Sequence, residues 1–365
     1  MRRQPGSATR SGPWSASLTG RGSRVSKSWT KKDGPQGDIC LGTRIRLARN
    51  LEKTPFPATA NRDQARQVMH TAKKLAESLN QLASFRFYEL AEVDQLERQI
   101  LMEKHLISPE HTKKTSSKGL ILSENEDISI MVNEEDHFRI QVLLPGLQLK
   151  EAWELADRVD DLIEANVDYA FDPEIGYLTA CPTNVGTGMR GSLMLHLPAL
   201  ARIKQLGNVL KSVSQFGLAV RGLYGEGSES YGSIYQISNQ VSLGHSESEM
   251  LEHLGRVTKQ VIASERQARE YLQEHNRTES EDQIYRAYGL LSQARIISTQ
   301  EAMDLLSTVL LGIDLGMIQD LDRGLVKKLM VEIRSAHLQK MMGQSLPAQE
   351  RDRLRGSMIR DRLNR

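Results

Sequence analysis

Near Glu247 the hydrophobic period of this 365-residue chain changes, and no other feature constrains its fold more. Before that point, short β-prone segments at 128–132, 138–144, 193–197, 218–220 and 233–238 are interleaved with amphipathic stretches at 61–82 and 153–163. After it, apolar residues recur at helical spacing over 247–273, 279–296, 299–311 and 325–342, with Ser, Thr or Asp near several starts. The first pattern predicts an α+β unit, an antiparallel sheet with helices packed against it, and the second an all-α domain. Boundaries follow at 33–246 and 247–365. The preceding segment 1–32 carries Arg and Lys but no acid, is rich in Ser and Gly, and reads as a disordered basic tail. The stretch 349–365 is dense in Arg and Asp at helical spacing, which suits a solvated helix or an interaction surface.

Composition narrows the setting. Cys40 and Cys181, the two cysteines, lie far apart without metal-ligand spacing, so a disulfide framework is not expected and a reducing cytoplasm is the simpler location. No apolar run approaches the roughly 20 residues that span a bilayer, and no N-terminal apolar core of a secretory signal is present, so no membrane partner is expected. The basic tail interleaves no aromatics beyond Trp14 and Trp29 and matches no nucleic-acid module, so nucleic acid is not an expected partner either.

Within the first unit, the run CPTNVGTGMRGS (181–192) joins a thiol, a flexible Gly/Thr loop and an arginine. It suits phosphoryl transfer, but neither G-x-x-x-x-G-K-[ST] nor H-R-D with a downstream D-F-G occurs. Arginines must then handle the phosphate charge, which their planar, permanently charged guanidinium does bidentately. Arg44 and Arg46 alternate on one extended face of GDICLGTRIRLARN (37–50), and Arg139, Arg190 and Arg221 stand beside Gly-rich or acidic segments. Any one of them alone would read as a surface ion-pair partner.

Carboxylates are the second element. Asn133-Glu134-Glu135-Asp136-His137 is predicted as a hairpin turn presenting three acids in one place, and Glu226 lies in the Gly-rich RGLYGEGSE (221–229), a candidate mobile loop. Two distant acidic loops suit a cationic acceptor. A guanidinium would be held in line with the γ-phosphate of ATP by two carboxylates, one of which takes its proton. Cys181 is either a small buried hydrophobe or a thiolate beside that acceptor. His105 and His137 are each open to a structural or a catalytic reading. No cluster has zinc spacing, so the expected metal is Mg²⁺ held through the nucleotide phosphates.

Together these motifs resemble the phosphagen (ATP:guanido) kinase family: GTRIRLAR, NEEDHFR, CPTNVGTGMRGS and RG-x-x-GE occur in family order over roughly residues 37–245. The resemblance implies a glutamine-synthetase-like antiparallel sheet with flanking helices. It places ATP contacts at Gly42, Thr43, Arg44, Ile45 and Arg46, at His105 near the base, and at Arg139. Further contacts are implied at Arg190, Gly191, Ser192, Leu193 and Met194, and at Arg221, Gly222, Leu223, Tyr224 and Gly225. It makes Glu135 and Glu226 the guanidinium clamp, with Glu135 the base and Cys181 beside it.

Two departures separate the chain from small-guanidine members. Too few residues precede GDICLGTRIRLAR for their N-terminal helical domain, and a C-terminal helical domain is gained; Tyr224 also stands where those enzymes carry another arginine. This architecture resembles the family's bacterial protein-arginine kinase branch. That resemblance implies phosphorylation of arginine side chains on proteins, marking them for a Clp ATPase and its protease, action on a heat-shock repressor, a small zinc-binding activator and a homodimer. Arg351-Asp352-Arg353-Leu354-Arg355-Gly356 resembles the branch's phosphoarginine-binding R-D-x-x-R-A motif, with Gly356 in place of Ala. It implies that Arg351 and Arg355 grip a phosphoguanidinium while Asp352 pairs with its cationic part. A small-metabolite guanidino kinase and a non-catalytic phosphoarginine-binding adaptor remain the competing readings.

Overall fold

Alternation in GTRIRLAR sets the centre of the fold. Ile45 and Leu47 are fully buried on one face of the first strand, and Arg44 and Arg46 occupy the other. A computed structural model describes residues 33–224 and 230–364; the predicted tail lies outside them. In chain order the strands are β1 (Cys40–Arg49), β2 (Phe85–Glu89), β3 (Gly119–Ser123), β4 (Ile128–Val132) and β5 (Phe138–Pro145). They continue as β6 (Phe171–Asp172), β7 (Gly176–Tyr177), β8 (Met189–His196), β9 (Leu218–Tyr224) and β10 (Ser230–Asn239). Among the described residues, eight of these form one sheet in the order β2-β3-β4-β5-β1-β8-β10-β9, and β6 and β7 pair separately. The pairs are antiparallel, as expected, and β1 is hydrogen-bonded along both edges, to β5 and to β8.

Helices α1 (Arg62–Ser78), α2 (Gln95–Glu103), α3 (Leu149–Glu164), α4 (Pro198–Arg202) and α5 (Leu206–Gln215) accompany the sheet. The amides at the start of α1 are satisfied by an Asn61/Gln64 capping box. One stripe of α1 (Val68, Ala72, Leu75) and one of α3 (Ala152, Ala156, Val159) close over Ile45, Leu47, Ile140 and Val142 in a single core. Each of the Val, Leu and Ile side chains among them contributes about 1.5–3 kcal/mol by leaving water.

The helical part comprises α6 (Glu247–His275), α7 (Arg277–Gln293), α8 (Thr299–Asp314), α9 (Arg323–Glu332), α10 (Ser335–Met342) and α11 (Ala348–Leu363). Its core is continuous with the sheet: Leu193, Leu195 and Ile237 join Leu254, Val257, Leu306 and Leu310 in one cluster. The predicted segment 325–342 is two helices rather than one. Arg334 takes an extended conformation (φ −72°, ψ 155°) between α9 and α10. The Glu103 carboxylate, at the end of α2, accepts from the amides of Ala336 (2.9 Å) and His337 (3.2 Å) and from His337 Nδ1 (2.6 Å), so a distant acid caps α10.

Candidate active site

Strand register converts the alternation of β1 into a field of positive charge. Arg46 lies opposite Arg190 of β8 and Gln141 of β5, and Arg44 opposite Ser192. Gln236 of β10 lies opposite both Met194 and Arg221. Because cross-strand partners share a face, Arg44, Arg46, Arg139, Arg190 and Arg221 all belong to one side of the sheet. Arg44, Arg46 and Arg139 line a cavity of about 500 Å³ together with His105, Ile107 and Met102. Thr299, Met303, Arg334 and Ser335 of the helical part complete its lining.

The cavity is short of negative charge. Burial, then repulsion from Arg139 and Arg190, pushes the Arg44 guanidinium down to about 10. Burial and the charges of Arg44, Arg139 and Arg190 likewise push Arg46 well below its ordinary value, against a weaker pull from Glu134. Arg46 Nε and Arg190 Nε are buried without a hydrogen-bond partner. Unpaired buried donors are costly, and a polyphosphate supplies the missing oxygens. Arg44 is oriented by Ser192 Oγ (3.3 Å) and the side-chain oxygen of Gln236. Burial, with Arg334 and Arg44 nearby, holds the His105 imidazole far below its usual value and so neutral. Its backbone is left-handed (φ 60°) and its carbonyl accepts from Gln141 Nε2 at 2.8 Å, which ties it to the sheet.

The acidic turn forms as expected, with Asn133 left-handed (φ 57°) and its amide bonded to His137 O at 3.0 Å. Its three carboxylates, however, do not gather in one place. Glu134 accepts from Arg139 Nη1 and Ser108 Oγ, each at 2.6 Å. Burial opposes its ionisation, but the Arg139 charge and these two bonds outweigh it and hold the carboxyl below its usual range. Asp136 turns inward, 2% exposed, and its Oδ1 accepts from Asn50 Nδ2 (2.6 Å) and the Ala180 amide (2.7 Å). Glu135 alone faces solvent. Partial burial of its carboxyl, with repulsion from Asp136 and Glu134, raises it against the pull of Arg139, a direction that suits a general base. His137 is structural: Nδ1 accepts from the Leu51 amide and Nε2 donates to Pro55 O, both at 3.0 Å.

Cys181 is partly exposed, with Sγ 3.1 Å from Thr183 Oγ1. Burial, Arg221 and Arg139 push the Arg190 guanidinium down, and the Cys181 sulfur, within electrostatic reach, opposes them. Buried Arg49 anchors the Gly/Thr loop: it bonds Asp160 of α3 (2.6 Å) and Thr187 O (2.9 Å) and stacks 3.5 Å from the Tyr177 ring centroid. Gly188 (φ 67°) is required there, since a Cβ would sit 2.5 Å from Arg49 Nη1. Cys40, by contrast, is core, its thiol pushed up to about 12 by burial.

The other expected site residues do not all turn a side chain to the cavity. Ile45 and Leu193 are buried in the cores behind the sheet, and a Cβ on Gly191 would meet Leu254 there. Thr43 Oγ1 donates to Gly146 O (2.6 Å), a structural bond. Gly42 and Met194 pair on the arginine side, Met194 within the apolar cluster of Met131 and Leu143. Gly222 lies in β9. Gly225 and Glu226, and the side chains of Leu223 and Tyr224, lie outside the described residues. In the C-terminal motif, Arg355 is 1% exposed and donates to Ile333 O (2.9 Å), Ile297 O (2.7 Å) and Asp352 Oδ1 (2.5 Å), so it is engaged internally rather than open beside Arg351. Arg351 bonds Leu346 O at 2.7 Å. A Cβ on Gly356 would meet Arg295 O at 2.9 Å, a close helix approach. The roles of Gln236, Ser108, Asn50 and Arg334 carry no local sequence signal.

Among the described residues no cluster of His, Cys, Asp and Glu could hold a metal ion, and no helix is long and apolar enough to cross a membrane. The family model for the ATP:guanido phosphotransferase C-terminal catalytic domain matches residues 67–268, and that for the protein-arginine kinase McsB C-terminal domain matches 277–365. A protein-arginine kinase of Halothermothrix orenii is 49% identical over 338 residues, 92% of this chain and 96% of the relative. One of Brevibacillus brevis is 48% identical over 339 residues, covering 92% and 95%. Among solved structures, lombricine kinase (24% identity, TM-score 0.56) covers 63% of this chain and 67% of its own. The duplicated taurocyamine kinase of Schistosoma mansoni with transition-state analog components (21%, TM-score 0.59) covers 73% and 39%, and both share the fold. An arginine-lined antiparallel sheet, matched by the one model and continued by the C-terminal domain of the other, places this chain in the ATP:guanido phosphotransferase family, in its protein-arginine kinase branch.

Proposed function

We propose that this chain transfers the γ-phosphate of ATP to the guanidinium of arginine residues in proteins. The observation that carries the reading is the convergence of Arg44, Arg46 and Arg139 on one cavity, the first two alternating on one face of a central strand, with Glu135 within electrostatic reach of Arg139. The arginines bind the phosphates and stabilise the charge of the transferring group, which is most of what this reaction asks of a protein. Magnesium, carried by the phosphate oxygens, would neutralise part of that charge when bound. Glu135 orients the acceptor. As its nitrogen forms the N–P bond and the bond from phosphorus to the ADP oxygen breaks, Glu135 takes the guanidinium proton and later releases it to water. Glu226 is proposed as the second clamp and Cys181 as the neighbour of the acceptor.

That the relatives are protein-arginine kinases supports a protein rather than a metabolite acceptor. Marking of proteins for a Clp ATPase, a heat-shock repressor substrate, a zinc-binding activator, a cytoplasmic location and a homodimer belong to the same proposal. Incubating the enzyme with ATP and an unstructured arginine-containing protein, its Arg-to-Lys counterpart, or free arginine tests it. Acid-labile label on the arginine-containing protein alone is expected, and label mainly on free arginine overturns it.

A further inference from the structure

The nucleotide cavity is closed by the helical part of the chain. Arg44, Arg46 and Arg139 claim its phosphate end, so the adenosine of ATP must fill the remainder, past His105. Met102, Met131, Ile107 and Met303 give that remainder apolar walls suited to a purine. Its polar groups, Arg334, Thr299 and Ser335, come from the helical part. Arg334 is 7% exposed, and its Nη1 donates to the Glu103 carbonyl. The wall itself is clamped: Arg355 donates to the carbonyl of Ile333, next to Arg334, and to that of Ile297, two residues before Thr299.

We propose that Arg334 is a nucleotide-binding residue supplied by the helical part, its guanidinium contacting the adenosine end of ATP, with Thr299 and Met303 completing that pocket. A planar guanidinium suits this place because it stacks on a purine or donates to ring nitrogens and ribose oxygens, which an ammonium does less well. The inference rests on the ATP half of the proposed function and not on its acceptor.

The test is calorimetric titration of the full-length protein with ATP, ADP and AMP, without acceptor. Arg334→Ala is expected to weaken all three by a similar factor, about tenfold or more, with the nucleotide-free melting temperature little changed and Arg334→Lys intermediate. Unchanged affinities in a folded Arg334→Ala protein overturn the proposal, as does a loss confined to ATP and ADP, which would place the contact on phosphate. Should Arg334→Ala not fold, Thr299→Phe decides, since it fills the same end and leaves Arg334 in place: weakened ATP binding supports the proposal and wild-type binding overturns it. A wild-type protein that binds ATP but labels no arginine sinks the acceptor assignment and leaves this inference standing; one that binds no ATP overturns both.

Discussion

Asp136 Oδ1 accepts the Ala180 amide at 2.7 Å, so one buried carboxylate ties the segment that begins with Cys181 to the turn that carries Glu135. The same oxygen accepts from Asn50 Nδ2. Asp136 is thus a positioning residue. Asp136→Ala removes the acceptor shared by the Ala180 amide and the buried Asn50 Nδ2, at a cost of about 1–3 kcal/mol. A lower kcat with near-normal KM for ATP and an altered rate of Cys181 alkylation are expected. Asp136→Asn keeps an acceptor oxygen and should recover part of both; no change in either variant would confine Asp136 to a packing role.

Glu135→Gln removes the proposed base and keeps its shape. Transfer is expected to fall by about 10²–10⁴-fold while ATP affinity, set by the arginines, stays near normal. Because partial burial and the neighbouring acids raise the Glu135 carboxyl, protons return to it earlier on acidification. The acid limb of kcat/KM in the wild type should therefore lie above the ordinary glutamate value of 4.5. A limb at or below that value would remove Glu135 as the base.

Arg46 carries a buried, unpartnered Nε among like charges. Arg46→Met should stabilise the nucleotide-free protein by about 1 kcal/mol and suppress the rise in melting temperature that ATP gives the wild type. Loss of stability without ATP would mean that Arg46 has a structural role instead.

Arg355 and Arg351 should separate under truncation. Arg355→Ala strips donors from two backbone carbonyls and unpairs Asp352, so denaturant unfolding should show a loss of about 2–4 kcal/mol. Arg351→Ala, which gives up one partly buried bond, should cost about 1 kcal/mol or less. Equal losses would contradict the internal engagement of Arg355.

His111 offers a pH test. Burial holds its imidazole down to about 4 from 6.5, and Nδ1 has no partner while Nε2 faces Gly119 O at 2.8 Å. The unfolded chain protonates first as pH falls, so the stability linked to this group is complete above 6.5 and is lost as pH drops towards about 4. His111→Gln should flatten the pH dependence of the unfolding free energy in that window, and an unchanged slope would assign it to other groups.

The antiparallel sheet, the hairpin at 128–144 and the helices beyond Glu247 were legible because each is written in local periodicity. Alternation in GTRIRLAR even separates the charged face of β1 from its core face. The fates of Glu134, Glu135 and Asp136 were not legible, because Asn50 and Ala180, which draw Asp136 inward, lie 86 and 44 residues away. The break between α9 and α10 was hidden for the same reason: neither Gly nor Pro marks it, and its cap comes from Glu103, 233 residues before Ala336. Helix α2 is short and β2 lies at the sheet edge, so neither has a strong periodic signature.

That cap also bears on how the chain folds. Residues 67–268 and 277–365 look like separable modules in sequence. Yet Glu103 belongs to the first stretch and the amides it satisfies belong to the second. Cut apart, one would expose a carboxylate with nothing to bind and the other a helix with no start. The two stretches are therefore expected to melt as a single cooperative unit, since the cavity of Arg44 and Arg46 also takes Thr299, Met303 and Arg334 from the second stretch.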